Sequence, residues 1–279
     1  MDEKKMLVFL DIDGTLVDVT GRPSKSTIHA CRKARENGHK LFICTGRPKG
    51  EVGKNILDVG FDGVIAAGGA LITVDSKLIF ESEIPNDVVN ALINYSHENG
   101  LGYSLESGDY FYTDSLQRKI FETLKRGFLG SKIDDTKYAK GWVTEKPLEG
   151  KVWQSGKVQK FMITSMKNLS VNVLKDKFGD VCEVFGGSMP FLGGMSAEIT
   201  QKGVHKGSAI TKVADYFGHP HENTLAIGDS YNDLFMIETA GIGIAMGNSE
   251  EEIKARADYI TDKIGDNGLA HAFEHFGLI

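Results

Sequence analysis

The sequence predicts an α/β fold: a parallel sheet flanked by helices and interrupted by an inserted α+β domain. Three observations carry this reading. Short apolar runs, Leu7-Val8-Phe9-Leu10 first among them, have the length and the β-branched or aromatic content of strands buried on both faces. Helix-like segments alternate with these runs, as in βαβ units. Between residues 84 and 195 that rhythm gives way to hairpins and amphipathic helices.

Taken in order, residues 7–10 form the first strand. Ser24 caps a helix that runs to about Asn37, with Gly38 as its stop. Residues 41–44 form a second strand that ends at Thr45-Gly46-Arg47-Pro48, and Pro48 suits the first turn of a following helix. A third strand spans 63–67, and 71–80 reads as a hairpin turning at Asp75-Ser76. In the insertion, a helix over 86–99 precedes strands at 103–105 and 110–112 and a helix over 115–128. The polar stretch that follows, up to Gly156, carries no assignment. A strand over 158–164, a helix from near Asn168 to Phe178 and a strand over 181–185 complete it. Trp142, Trp153, Tyr103, Tyr110 and Tyr112 are expected to fill its core.

From Ser196 the α/β rhythm returns, with a strand at 197–199 and a helix over 205–217 stopped by Gly218 and Pro220. Strands follow at 224–227 and 242–245, and Ser249 with Glu252 forms a capping box for a short helix. The expected domains are therefore 1–83 with 196–279 as the core and 84–195 as the insertion.

The chain has 279 residues and a formal net charge of −6, which argues against a general nucleic-acid binder. Cys31, Cys44 and Cys182 form no CxxC pair and read as free thiols of a reducing compartment. The N-terminus matches neither a signal peptide nor a membrane span, so a cytoplasmic location without a membrane partner is expected. The glycine-rich run 241–247 has the wrong spacing for a dinucleotide fingerprint. His219-Pro220-His221 lacks metal-ligand spacing. Residues 116–160 hold eleven Lys or Arg against five acids. Such a run is either a solvated face or a surface that steers an anionic substrate.

Chemistry concentrates at strand ends. Asp11 and Asp13 follow the first strand, and residues i and i+2 of extended backbone point to one side. Ligands of open α/β sheets bind just beyond the carboxyl ends of strands. Two such anions are costly together unless a cation sits between them or one holds a proton, which suits a metal-assisted nucleophile and acid pair. Thr45 follows the second strand, Lys206-Gly207 opens a helix, and Gly228-Asp229-Ser230-Tyr231-Asn232-Asp233 ends a further strand.

In this order the four motifs resemble those of the haloacid dehalogenase (HAD) superfamily, and the long insertion is similar to the large α/β cap of its Cof-type phosphatases. The resemblance implies a Rossmann-like core. It also implies a Mg²⁺-dependent phosphatase of small phosphorylated metabolites, sugar phosphates favoured, that works through an aspartyl-phosphate. Asp11 would be the nucleophile and Asp13 the acid and base. Asp11, the Asp13 backbone carbonyl and Asp229 would hold the metal. Lys206 and Thr45 would meet the phosphoryl oxygens, and Asp233 would orient Lys206 or a metal-bound water. Gly46, Arg47 and Asn232 are the expected substrate contacts. One departure is visible: Ala66-Ala67-Gly68-Gly69-Ala70 stands where relatives often carry Asn-Gly. A phosphomutase of the phosphomannomutase type and a non-catalytic phosphosugar sensor remain as alternatives. An intact Asp11, Asp13, Lys206 and Asp229 set weighs against the sensor.

Overall fold

The computed structural model describes residues 5–108, 110–129, 144–148, 152–154, 156–167, 169–187 and 193–279. The chain divides into two compact units, one of Met1–Gly46, Gly53–Phe80 and His205–Ile279, the other of Arg47–Val52 and Glu81–Val204.

In chain order the strands are β1 (Leu7–Leu10), β2 (Lys40–Cys44), β3 (Gly63–Ala66), β4 (Leu71–Val74), β5 (Lys77–Glu81), β6 (Gly102–Ser107) and β7 (Tyr110–Thr113). They continue with β8 (Thr144–Pro147), β9 (Lys160–Thr164), β10 (Cys182–Gly186), β11 (Ser196–Gln201), β12 (Thr224–Gly228), β13 (Ile242–Ala245) and β14 (Tyr259–Ile260).

The first unit is built on an eight-stranded sheet ordered β14-β13-β12-β1-β2-β3-β4-β5. Strands β14 to β3 of that order run parallel, and β4 adds antiparallel to β3. The sheet is therefore mixed, its parallel core extended by the hairpin read at 71–80. Asp75 and Ser76 make that turn with φ of 46° and 65°, the left-handed pair a two-residue hairpin loop requires. Leu7, Phe9, Phe42 and Ala226 face the helix Lys206–Phe217 through Ala209, Ile210 and Val213. Phe9 stacks on Phe42 at 5.3 Å. Helix Lys25–Glu36 starts where Ser24 accepts the amide of Thr27 at 3.0 Å.

Chain order reverses at β1, since β2 lies on one side of it and β12 on the other. Such a switch point opens a crevice at the carboxyl ends of the strands, the place where open α/β sheets hold ligands.

The second unit is a six-stranded sheet ordered β10-β11-β9-β6-β7-β8. Pairings among β10, β11, β9, β6 and β7 are antiparallel, and β7 pairs parallel to β8. One face packs Tyr103, Leu105, Phe161, Ile163, Ala197 and Ile199 against the helices Asn86–Glu98 and Val171–Phe178. Trp153 and Tyr103 are buried in this core and Tyr112 packs at its margin, whereas Tyr110 is 38% exposed. Trp142 lies outside the described residues, as does the stretch 130–143.

Four expectations are corrected. Residues 196–204 do not return to the α/β core: β11 pairs with β10 and β9 in the second sheet, and the unit boundary falls between Val204 and His205. A short apolar strand looks the same in either sheet, so the local pattern does not place it. Arg47–Val52 also belongs to the second unit. Finally, Ser249 caps nothing. Glu250 occupies the N-cap of the helix Glu251–Lys254, and the Ser249 hydroxyl is buried without a hydrogen-bond partner among the described residues. The helix expected from Asn168 starts at Val171, and Asn168 is outside the described residues.

Candidate active site

The backbone assembles the site before any side chain is considered. The Asp11 amide extends the β1–β12 ladder by donating to the Ile227 carbonyl at 3.1 Å, which sets Asp11 at the switch point. The Thr45 amide likewise donates to Ile65 at 2.9 Å, and the Thr45 carbonyl accepts the Gly68 amide at 3.0 Å. After Asp13 the chain turns sharply. Gly14 has φ of 90°, and its amide donates to Val17 at 2.8 Å. A Cβ at Gly14 would lie 2.1 Å from a carboxylate oxygen of Asp229, so only glycine lets the two loops close on each other.

Lys206 stands at the first turn of its helix, behind a capping box in which His205 and Ser208 exchange hydrogen bonds at 3.1 Å each. Its side chain is 1% exposed, and Nζ lies 2.6 Å from Asp11 Oδ1 and 2.6 Å from Asp233 Oδ1. Asp233 turns its second oxygen to the amides of Asp229 and Ser230, at 3.0 Å each, and to the Ser230 hydroxyl at 3.1 Å. Asp229 accepts the Thr15 hydroxyl at 2.9 Å.

The charges explain the titration. Burial pushes Asp11 up to about 7; Asp233 and Asp13 add to this, and Lys206 opposes it. Asp229 is pushed up to about 9 by burial first, then by Asp11 and Asp233. Burial also works against the charge of Lys206, but Asp11 and Asp233 outweigh it and raise its pKa. An ion-paired carboxylate would ordinarily titrate low. Asp11 titrates high because one ammonium serves several carboxylates in a place that water does not screen.

Asp11, Asp229 and Asp233 bring one oxygen each within 4.8 Å of one another, a buried acidic cluster able to hold a divalent metal. A set of carboxylate oxygens suits a hard cation, and surplus negative charge that raises carboxylate pKa values is what such a cation relieves.

Of the expected residues, Asp11, Asp229, Lys206 and Asp233 are in contact or in one cluster, and Thr45 and Gly46 are buried at the end of the neighbouring strand β2. Asp13 is exposed, and its charge acts on Asp11. Asn232 accepts the Ser230 hydroxyl at 2.6 Å. Arg47 falls in the second unit, where it donates to the Glu51 carbonyl at 3.3 Å.

Three contributors escaped the sequence reading of individual roles: Thr15, Gly14 and Asn248. Asn248 donates to the Gly14 carbonyl at 3.0 Å and accepts the Ile264 amide at 2.9 Å, tying the Asp13 turn to a distant loop. Its signal was positional, a polar residue shortly after the strand β13 in the same sheet.

The family model of haloacid dehalogenase-like hydrolases matches residues 8–273. The chain belongs to that family. The inserted α+β domain is that of its Cof-type phosphatases. A solved HAD subclass IIB sugar phosphatase is 29% identical, with a TM-score of 0.80 over 99% of this chain and 100% of that one. A second solved member, from work on a trigonal-bipyramidal intermediate in a phosphoryl-transfer superfamily, is also 29% identical, with a TM-score of 0.81 and the same coverage. A 5-amino-6-(5-phospho-D-ribitylamino)uracil phosphatase of Bacillus subtilis is 27% identical over 288 residues, covering 100% of both chains. The chain spans 55% of a longer Streptococcus pyogenes relative that is 27% identical. Among the described residues, no helix is long and apolar enough to cross a membrane.

Proposed function

We propose that the chain is a Mg²⁺-dependent phosphatase of small phosphorylated metabolites, sugar phosphates foremost, acting through an aspartyl-phosphate on Asp11. The observation that carries this reading is the buried Lys206 ammonium held at 2.6 Å by both Asp11 and Asp233, with Asp229 in the same cluster at the sheet's switch point. Likeness to a sugar phosphatase and to a phosphoribitylaminouracil phosphatase supports the substrate class.

Lys206 occupies one oxygen of Asp11, which fixes the carboxylate and leaves the other free to attack phosphorus. As the Asp11–phosphorus bond forms, the bond to the leaving oxygen breaks and Asp13 supplies that oxygen's proton. Asp13 then takes a proton from water, the water oxygen attacks phosphorus, and the Asp11–phosphorus bond breaks to release inorganic phosphate. Held by the carboxylates of Asp11 and Asp229 and the carbonyl of Asp13, Mg²⁺ would screen the phosphate's charge from the nucleophile. The Thr45 hydroxyl and the Gly46 amide donate to phosphoryl oxygens beside Lys206. Asp233 positions Lys206. Arg47 and Asn232 are assigned to the rest of the substrate.

The test is phosphate release from a panel of metabolite phosphates and p-nitrophenyl phosphate, with Mg²⁺ or EDTA. Wild type is expected to turn over only with the metal, Asp11→Asn to fall to background, and Asp13→Asn to lose about 10²–10⁴-fold in kcat. Turnover that survives Asp11→Asn would overturn the mechanism.

A further inference from the structure

The two acids of the first loop are held in different ways. Asp11 is fixed by the ladder bond to Ile227 and by Lys206. Asp13 lies two residues further on, is exposed, and precedes Gly14, a residue free to turn either way that here takes φ of 90°. The loop closes on itself where the amides of Leu16 and Val17 donate to the Ile12 carbonyl at 3.0 and 2.9 Å, and that of Gly14 to Val17 at 2.8 Å. Two side chains then tie it to the rest of the first unit. The Thr15 hydroxyl donates to Asp229 at 2.9 Å, and Asn248 Nδ2 donates to the Gly14 carbonyl at 3.0 Å. Gly14 is thus held at its amide by Val17 and at its carbonyl by Asn248.

Asn248 stands on a firm support, all of it within the first unit. Its Oδ1 accepts the Ile264 amide at 2.9 Å, so both ends of the side-chain amide are engaged. The preceding Gly247 donates to the Asp262 carbonyl at 3.1 Å, and a Cβ there would lie 2.7 Å from the Asp262 carbonyl carbon and the Lys263 nitrogen. The Met246 amide donates to Gly228, the residue before Asp229, at 3.0 Å. Asn248 is exposed, so water would serve its amide and the Gly14 carbonyl nearly as well. The bond therefore adds position more than stability. Position matters here, because a misplacement of about 1 Å at a reacting group can cost about 10²-fold in rate.

We propose that Asn248 is a positioning residue for proton transfer: by gripping the Gly14 carbonyl it holds the Asp13 carboxyl where the leaving oxygen departs. The proposal deepens the phosphatase reading above and rests on Asp13 being its acid. In the first half-reaction the Asp11–phosphorus bond forms, the bond from phosphorus to the leaving oxygen breaks, and the proton passes from Asp13 to that oxygen. An alkoxide is a strong base and needs the proton; p-nitrophenolate is a weak base and leaves without it. Loosening Asp13 therefore slows alkyl esters and spares the aryl ester.

The experiment measures single-turnover release of the leaving group, with enzyme in excess and Mg²⁺ saturating, from a hexose monophosphate and from p-nitrophenyl phosphate. The readout is the ratio of the two rates. Both rates come from one preparation, so a partly unfolded or metal-poor variant does not imitate a change in it. Asp13→Asn is expected to lower the alkyl-to-aryl ratio by about 10²-fold or more. Asn248→Ala is expected to lower it about tenfold. The double variant should fall no further than Asp13→Asn alone, because Asn248 acts through Asp13. Tyr231 supplies the control: its hydroxyl lies 3.0 Å from Glu250 and from Glu252, tying the segment after Asn248 to the Asp229 loop instead. Tyr231→Phe is expected to keep the wild-type ratio. A wild-type ratio in Asn248→Ala, a further fall in the double variant, or an equal fall in Tyr231→Phe overturns the proposal and leaves hydrolysis intact. A wild-type ratio in Asp13→Asn overturns the acid assigned in the phosphatase reading, and this proposal with it.

Discussion

Asp11 shows how one residue's behaviour follows from its neighbours. Its aspartate chemistry is ordinary, but burial and the charge of Asp233 raise it while Lys206 keeps one oxygen fixed. Gly14 shows the reverse case, a residue whose value lies in having no side chain. Gly14→Ala is expected to force Asp229 away and to strain the φ of 90°, at a cost of about 1–3 kcal/mol. Because the clash is with a carboxylate of the metal cluster, Mg²⁺ titration of activity should show a weakened apparent affinity even where circular dichroism shows a folded chain. A variant with wild-type metal dependence would remove Gly14 from the site.

At the level of elements, single caps and registers decide where functional atoms stand. Asp114 precedes the helix Ser115–Leu129 and accepts the amides of Leu116 and Gln117, at 3.0 and 2.8 Å, as well as that of Tyr103 at 2.9 Å. It therefore holds the helix start to β6. Asp114→Ala leaves a buried Tyr103 amide unmet as well as an uncapped helix, and about 1–3 kcal/mol of stability should be lost. Chemical denaturation would measure it; a loss below about 0.5 kcal/mol would mean water replaces the carboxylate. Three cations of the basic run 116–160 have defined partners among the described residues. Lys160 is buried between two glutamates, Lys157 pairs with Glu81 at 2.8 Å, and Lys146 lies over the Tyr110 ring.

Across the molecule, both units carry carboxylates that hold protons more tightly when folded. Asp11 is raised to about 7, Glu106 to about 8 and Asp229 to about 9, each by burial first. A group raised in the folded state stabilises fully below its unfolded pKa and loses that contribution as pH climbs through the folded value. In EDTA the thermal midpoint should therefore fall between about pH 5 and pH 9. A divalent metal bound in the acidic cluster, as proposed above, would need the ionised forms of Asp11 and Asp229, so saturating Mg²⁺ should remove most of the fall that these two cause. The remaining slope belongs to Glu106 and should flatten in Glu106→Gln. A midpoint that rises with pH in EDTA would contradict this account of the charges.

Much of this was readable from residue order. Asp11-Ile12-Asp13-Gly14-Thr15 after a buried strand, and Asp229 with Asp233 after another, marked the strand ends where the buried acidic cluster of Asp11, Asp229 and Asp233 assembles, because strand ends at a switch point are where open sheets hold ligands. Ser24, Gly38 and Gly218 marked helix ends because caps and left-handed stops are local. What residue order left undecided was non-local. Ser196–Gln201 has the pattern of either sheet, and only pairing with β9 and β10 assigns it. Asn248 reaches Gly14 across 234 positions of sequence. Lys160 reads as one more surface cation until the sheet closes two glutamates around it. Periodicity and capping report on neighbours along the chain. Burial, and the charges that burial leaves unscreened, come from strands that meet only when the chain has folded.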